Sequence, residues 1–240
     1  MVTIRRGAAD IMVAGATGTR VHPMKTVHAL QNEQVALGGD GVEPTRWSRP
    51  FDQGRTGMVL GEGSAVLVLE ELGHALARGA RIHGEVLGHA ARAAVDRGGT
   101  GRRRPAMAAA MRRALGMSGI APAALGHVHA HGVSTVVGDR DEAAAMHDVL
   151  GADASRLPTV AAKSHFGNLG AASGLVECIA SLQACAHGAL FPVLNYETPD
   201  PACDIRAARG GESPGDVFLT TSVTPQGQAA SLVVRRWTDG

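Results

Sequence analysis

Neither sign of charge prevails in this chain of 240 residues, which sets 23 Lys and Arg against 22 Asp and Glu for a formal net charge of +1. Nucleic acid and anionic membrane surfaces gain no electrostatic footprint from such a balance. The run Arg102, Arg103 and Arg104 is a local exception and reads as a solvated helix start. Cysteine is scarce as well. Cys178, Cys185 and Cys203 make an odd set without paired metal-ligand spacing, which argues against a disulfide framework and a zinc site and leaves the cytoplasm as the default compartment. Long apolar runs are missing too. None approaches the roughly 18 residues of a membrane span, and the start Met1-Val-Thr-Ile-Arg-Arg lacks the apolar core of a signal peptide. Apolar residues are nevertheless plentiful, at 45% against 19% charged. That suits one soluble globular domain with a sizeable core, or part of a larger one.

Short apolar runs alternate with longer alanine-rich helical patterns, the rhythm of layered α/β architecture. Strands are expected at residues 11–14, 65–69, 82–87, 128–130, 159–162, 218–221 and 231–234. Helices are expected near 74–78, 105–115, 141–150 and 171–187, with Gly116, Gly151 and Gly188 as stops. Residues 38–63 are glycine-rich and weakly periodic, and a connection of that length is often functional.

Two early patterns invite chemistry. Gly15-x-x-Gly18, after an apolar strand, resembles the opening of a dinucleotide-binding turn, but a third glycine would fall near Val21 and Pro23 interrupts any helix there. A tight turn is the expected reading. His127-Val-His-Ala-His131 places three imidazoles on one face of a strand, and two of them could chelate a metal, so a metal hydrolase is one alternative. His131, followed by Gly132-Val-Ser-Thr135, would stand at a strand's carboxyl end, where catalytic groups of α/β folds gather. His127 and His129 read as packing histidines.

An ordered set of motifs is more specific. It comprises Arg49-Pro-Phe-Asp52 continuing to Gly61-Glu-Gly63, then Ala130-His-Gly-Val-Ser-Thr135 with Gly138-Asp139 and Glu142, then Lys163-Ser164 with Gly167 and Gly170-Ala-Ala172. Together, over nearly the whole chain, these resemble the β-ketoacyl-acyl carrier protein synthases. The resemblance implies a thiolase-like layered α/β fold of two related halves, with residues 1–80 the remainder of the amino-terminal half, including the long loop 38–63, and 81–240 the carboxyl-terminal half. It implies decarboxylative condensation of acyl and malonyl thioesters in fatty acid or polyketide biosynthesis, with no cofactor. Its partners would be acyl carrier protein and a second subunit, in a homodimer or a heterodimer with another ketosynthase-like chain.

By the same resemblance the first catalytic histidine is His131, the lysine is Lys163, and Glu142 is a buried acidic helper that would back Lys163, with Asp139 and Thr135 in support. The second histidine normally stands five residues after the lysine, where this chain has Asn168. An amide donor can stabilise an enolate oxygen but cannot exchange a proton near neutral pH. Asn168 could instead serve only the turn, as asparagine often does. The nucleophilic cysteine of the family is expected upstream of Met1, and the three cysteines present are expected to be buried hydrophobes or, for Cys203, a loop thiol. Thr56 and Met58 replace the Asp and Phe of the family's long loop, and Thr221-Ser-Val-Thr-Pro-Gln-Gly-Gln228 replaces its glycine- and phenylalanine-rich loop. These departures keep a second alternative open, a non-catalytic thiolase-fold partner subunit.

Overall fold

A computed structural model of the chain describes residues 1–32, 34–39 and 41–238. After a short helix α1 (Val2–Arg5), strand β1 (Ile11–Thr19) pairs antiparallel with β2 (Glu62–Glu70), so that Ile11 lies opposite Glu70 and Thr19 opposite Glu62. The period of two sorts β2 cleanly. Val66 and Val68 point to solvent, whereas Leu67 packs beside Cys178, Cys185, Phe218 and Val234. In sequence, helix α2 (Pro23–Asn32) lies between the two strands and α3 (Leu72–Ala77) follows β2.

A six-stranded mixed sheet forms the main body. Its strands are β3 (Gly84–Ala93), β4 (His127–His129), β5 (Pro158–Val160), β6 (Arg206–Ala207), β7 (Val217–Val223) and β8 (Gln228–Arg236), in the spatial order β3-β8-β7-β4-β5-β6. The pairs from β7 through β6 are parallel, and the two that join β3, β8 and β7 are antiparallel. Alternation along β7 shows how both faces are covered. Val217, Leu219 and Val223 join the alanine- and methionine-rich core under α4 (Arg103–Ser118) and α5 (Val136–Leu150), while Phe218 faces α7 (Ser173–His187). Helix α7 also packs on β1 and β2, so it is held between the two sheets. Its small buried residues, Ser173, Cys178, Ser181, Ala184 and Cys185, permit that close approach. Between β5 and α7, helix α6 (Lys163–Phe166) is a single turn.

Several expectations are corrected. Gly15 to Gly18 is not a turn but part of the second half of β1. Gly18 is required there because β1 crosses the residues that follow α6: a Cβ on Gly18 would stand 1.5 Å from the carbonyl oxygen of Leu169. Pro23 does not interrupt a helix. It opens α2, at the position where a missing N–H costs nothing. Helix α4 runs past Gly116 to Ser118 and ends on Gly119, whose left-handed φ of 69° returns its N–H to Leu115. Arg103 and Arg104 are not merely solvated, since they pair with Asp141 and Asp148 of α5. The long connection 38–63 is pinned by Arg55, a buried guanidinium that donates to the carbonyls of Thr135, Asp52 and Val136 and pairs with Asp200 at 2.7 Å.

Gly18→Ala is therefore expected to destabilise the protein by about 3 kcal/mol, the upper end of ordinary overpacking. Chemical denaturation measures it, and a loss within the scatter of surface substitutions would mean that β1 does not cross the Leu169 carbonyl.

Candidate active site

Strand β4 delivers His131 just beyond its carboxyl end, after Ala130 has made the last ladder bond to Val160 at 2.9 Å. The turn that follows is clamped from α5. Glu142 accepts from the His131 N–H at 2.6 Å and from the Gly132 N–H at 2.8 Å. Gly132 has a φ of 43°, and a Cβ there would meet that of Ala161 at 2.6 Å, so the turn admits no side chain. Burial pushes the Glu142 carboxyl up to about 8, against the pull of those two N–H groups.

One helical turn away in the chain, Asp139 accepts from the N–H groups of Phe51 at 2.8 Å and Val133 at 3.1 Å. It thereby holds Phe51 and the neighbouring Ser134, two non-glycine residues with φ of 63° and 67°. Its carboxyl is raised by burial to about 6. Thr135 caps α5, its hydroxyl accepting from the Gly138 N–H at 3.1 Å. Asp139 and Thr135 thus hold the loop that frames His131 rather than touching its ring.

Lys163 opens α6 and is 1% exposed. Its ammonium donates to the His131 carbonyl at 2.6 Å, to His131 Nδ1 at 3.2 Å, and to Glu177 of α7 in a buried ion pair. The expectation that Glu142 backs Lys163 is corrected here, because both Glu142 oxygens serve the backbone and Glu177 supplies the charge. Glu177 was legible in one respect: it is the sole acidic residue of α7, set among the small and apolar residues of that helix's first three turns, and a buried charge requires a partner. Ser222 of β7 was not anticipated either. Its hydroxyl lies 3.5 Å from His131 Nδ1.

These contacts fix the state of the His131 ring. An ammonium only donates, so Nδ1 is an acceptor and the ring proton sits on Nε2. Burial, reinforced by the charges of Lys163, Arg103 and Arg20, drives the imidazole pKa well below its ordinary value, so the ring is neutral at pH 7. His131 is a neutral Nε2–H donor.

Asn168 is set at the other end of α6, after Gly167, by a separate group of contacts. Its Oδ1 accepts from the Gly170 N–H at 3.0 Å and the Ser173 hydroxyl at 3.3 Å. A backbone N–H cannot accept, so the amide orientation is determined and Nδ2 must face the other way, toward Met58 Sδ at 3.2 Å. A thioether is a weak acceptor, which leaves the amide hydrogens underused. The segment beside Met58 is laced to this turn, Asn168 N–H donating to Val59 and Gly61 N–H to Asn168.

Burial pushes the thiols of Cys178 and Cys203 up to about 12 and that of Cys185 to about 11. None is a thiolate near neutral pH. Cys203, expected as a loop thiol, lies in a loop but is buried against Arg55. Both ring nitrogens of His129 are engaged, by Ser181 and by the Ala162 N–H, so pairing it with His131 as metal ligands finds no open nitrogen. Among the described residues no cluster of three or more His, Cys, Asp or Glu could hold a metal ion.

The family model for "Beta-ketoacyl synthase, N-terminal domain" matches residues 1–75, and that for "Beta-ketoacyl synthase, C-terminal domain" matches 83–197. The chain belongs to the β-ketoacyl synthase family. Similar curated members include the tetracenomycin polyketide synthase ketoacyl synthase alpha subunit of Streptomyces glaucescens, 40% identical over 84% of this chain and 47% of that protein. The 3-oxoacyl-[acyl-carrier-protein] synthase 2 of Synechocystis sp. is 34% identical over 98% of this chain and 56% of that protein. A solved type II PKS ketosynthase, in complex with its acyl-carrier protein and bound to the hexaketide, superposes with a TM-score of 0.90 at 31% identity, over 99% of this chain and 59% of that one. The layered fold is accordingly that of the thiolase-like ketosynthases. The chain spans about half the length of the curated β-ketoacyl synthases it matches. His131, Glu142, Lys163, Asn168 and Glu177 all fall within the carboxyl-terminal family match.

Glu177→Gln leaves the Lys163 ammonium buried without its counter-charge, and the expected loss of stability is about 3–5 kcal/mol. Urea denaturation at pH 7 measures it. A change under about 1 kcal/mol, the range of exposed pairs, would show that Lys163 is not held as a buried cation.

Proposed function

We propose that this chain carries the decarboxylation machinery of a β-ketoacyl-acyl carrier protein synthase acting in fatty acid or polyketide biosynthesis in the cytoplasm. The observation that carries the reading is Lys163 at His131 Nδ1, which makes His131 a neutral donor through Nε2. In a malonyl thioester the bond to the carboxylate carbon breaks, carbon dioxide leaves, and the electron pair moves through the α-carbon onto the thioester oxygen. Two preorganised neutral donors, His131 Nε2–H and Asn168 Nδ2–H, would meet that developing charge where little water competes. Asn168 would exchange no proton, so its role would be confined to holding the oxygen.

Condensation also needs an acyl group carried by a thiolate nucleophile, which divides one difficult transfer into two easier steps. A reactive thiolate requires a lowered pKa, and the three thiols of this chain are displaced in the opposite direction. The substrate would arrive on acyl carrier protein, and the working assembly would be a dimer with a like chain or with another ketosynthase-like subunit. A non-catalytic partner subunit is the second reading, favoured by the altered loops at Thr56, Met58 and residues 221–228.

Malonyl thioester supplied to the purified 240-residue protein is expected to release carbon dioxide slowly without forming a carbon-carbon bond. His131→Ala and Asn168→Ala should each reduce the release by about 10²–10³-fold, as for loss of one oxyanion donor. Carbon dioxide release that both variants retain would refute the donor assignment, and none above the uncatalysed rate from the folded protein would favour the partner-subunit reading.

A further inference from the structure

Two histidines that take no part in the chemistry above are joined by a hydroxyl on α7. His127 and His129 are wholly buried, and each ring is packed against an aromatic neighbour, His127 stacked on Phe218 with ring centroids 5.1 Å apart and His129 tilted against Phe191 at 5.8 Å. The backbone dictates where their protons sit. The Pro214 carbonyl, 2.8 Å from His127 Nδ1, can only accept, so His127 carries its proton on Nδ1. The Ala162 N–H, 3.4 Å from His129 Nε2, can only donate, so His129 carries its proton on Nδ1 also.

Ser181 completes the sequence. Its Oγ lies 2.8 Å from His129 Nδ1, where it accepts, and 3.0 Å from His127 Nε2, to which it donates. Every donor then has one acceptor in an unbranched run from Ala162 through His129, Ser181 and His127 to Pro214. Burial keeps both imidazoles neutral, His127 pushed down to about 4 and His129 well below its ordinary value.

The run begins at the residue immediately before Lys163. Helix α6 is a single turn with no side-chain cap of its own, so its direction is set by contacts from other segments, among them Ser48 on the Lys163 carbonyl and the Leu194 N–H on the Ser164 hydroxyl. Ser181 stands one turn beyond Glu177 on α7, and both are buried. From these placements we infer that Ser181 and His129 are positioning residues for Lys163, holding the backbone at the start of α6 while Glu177 holds the ammonium. The purpose of placing Lys163 rests on the ketosynthase reading, but the hydrogen-bonded run does not.

Long-range ¹H–¹⁵N spectra of the imidazoles at pH 7 are expected to show His127 and His129 both neutral with the proton on Nδ1, the less common tautomer. Hydrogen exchange at the Ala162 amide should accelerate at least 10-fold in Ser181→Ala, and also in Ser181→Cys, which keeps the volume but weakens the hydrogen bonds. The Gly119 amide, at the end of α4 and remote from the run, should keep its rate in both variants. An Nε2–H tautomer or an imidazolium at either histidine would overturn the inference. So would unchanged Ala162 exchange in Ser181→Cys, or equal acceleration at Gly119. None of these readouts needs turnover, so absence of decarboxylation would count against the ketosynthase reading alone.

Discussion

A primary ammonium buried to 1% exposure sets the terms for everything around it. Taking the charge of Lys163 out of water costs several kcal/mol unless it is paired and hydrogen-bonded, and the fold meets that demand with three groups from two other segments. The carboxylate comes from Glu177 on α7, and a carbonyl and a ring nitrogen both come from His131 just after β4. Satisfying one cation therefore locks a strand end, a single-turn helix and the helix between the sheets into one arrangement. The same contact prescribes the tautomer of His131 and opposes its protonation. Stability and the chemical state of the candidate site are two consequences of one buried charge.

The acidic residues divide this labour by geometry. Glu142 and Asp139 lie on one helix and are both buried, yet each spends its oxygens on backbone N–H groups. They shape the turn that presents His131 and the strained Phe51 and Ser134 beside it. Neither replaces Glu177, which lies on the opposite side of the six-stranded sheet from α5. On the far end of α6, Asn168 is oriented by hydrogen bonds to its oxygen and left with a thioether before its amide. A donor that is firmly aimed but weakly satisfied is suited to receive a stronger acceptor.

What the sequence made legible follows from how local each signal is. Alternating apolar runs located the main strands, and the clustered motifs singled out His131, Lys163 and Asn168. Glu177 escaped because its partner is fourteen residues away across a turn, and no periodicity joins a helix residue to a lysine before it. The Gly15-x-x-Gly18 pattern misled because glycine serves close approach as well as turns, and the Leu169 carbonyl that demands it is remote in sequence. Pro23 misled similarly, since proline ends a helix in its interior but begins one at its first position. The tautomers of His127 and His129 depend on backbone groups of Pro214 and Ala162, which no reading of residue types could place.

In the proposed reaction His131 Nε2–H and the Asn168 amide converge on one thioester oxygen. The carbonyl stretch of an acetyl pantetheine thioester, which binds without a carboxylate to lose, reports donors at that oxygen directly. A shift to lower frequency is expected on binding, with part of it lost in His131→Ala and part in Asn168→Ala. A bound carbonyl at its solution frequency, or a shift indifferent to both substitutions, would contradict it.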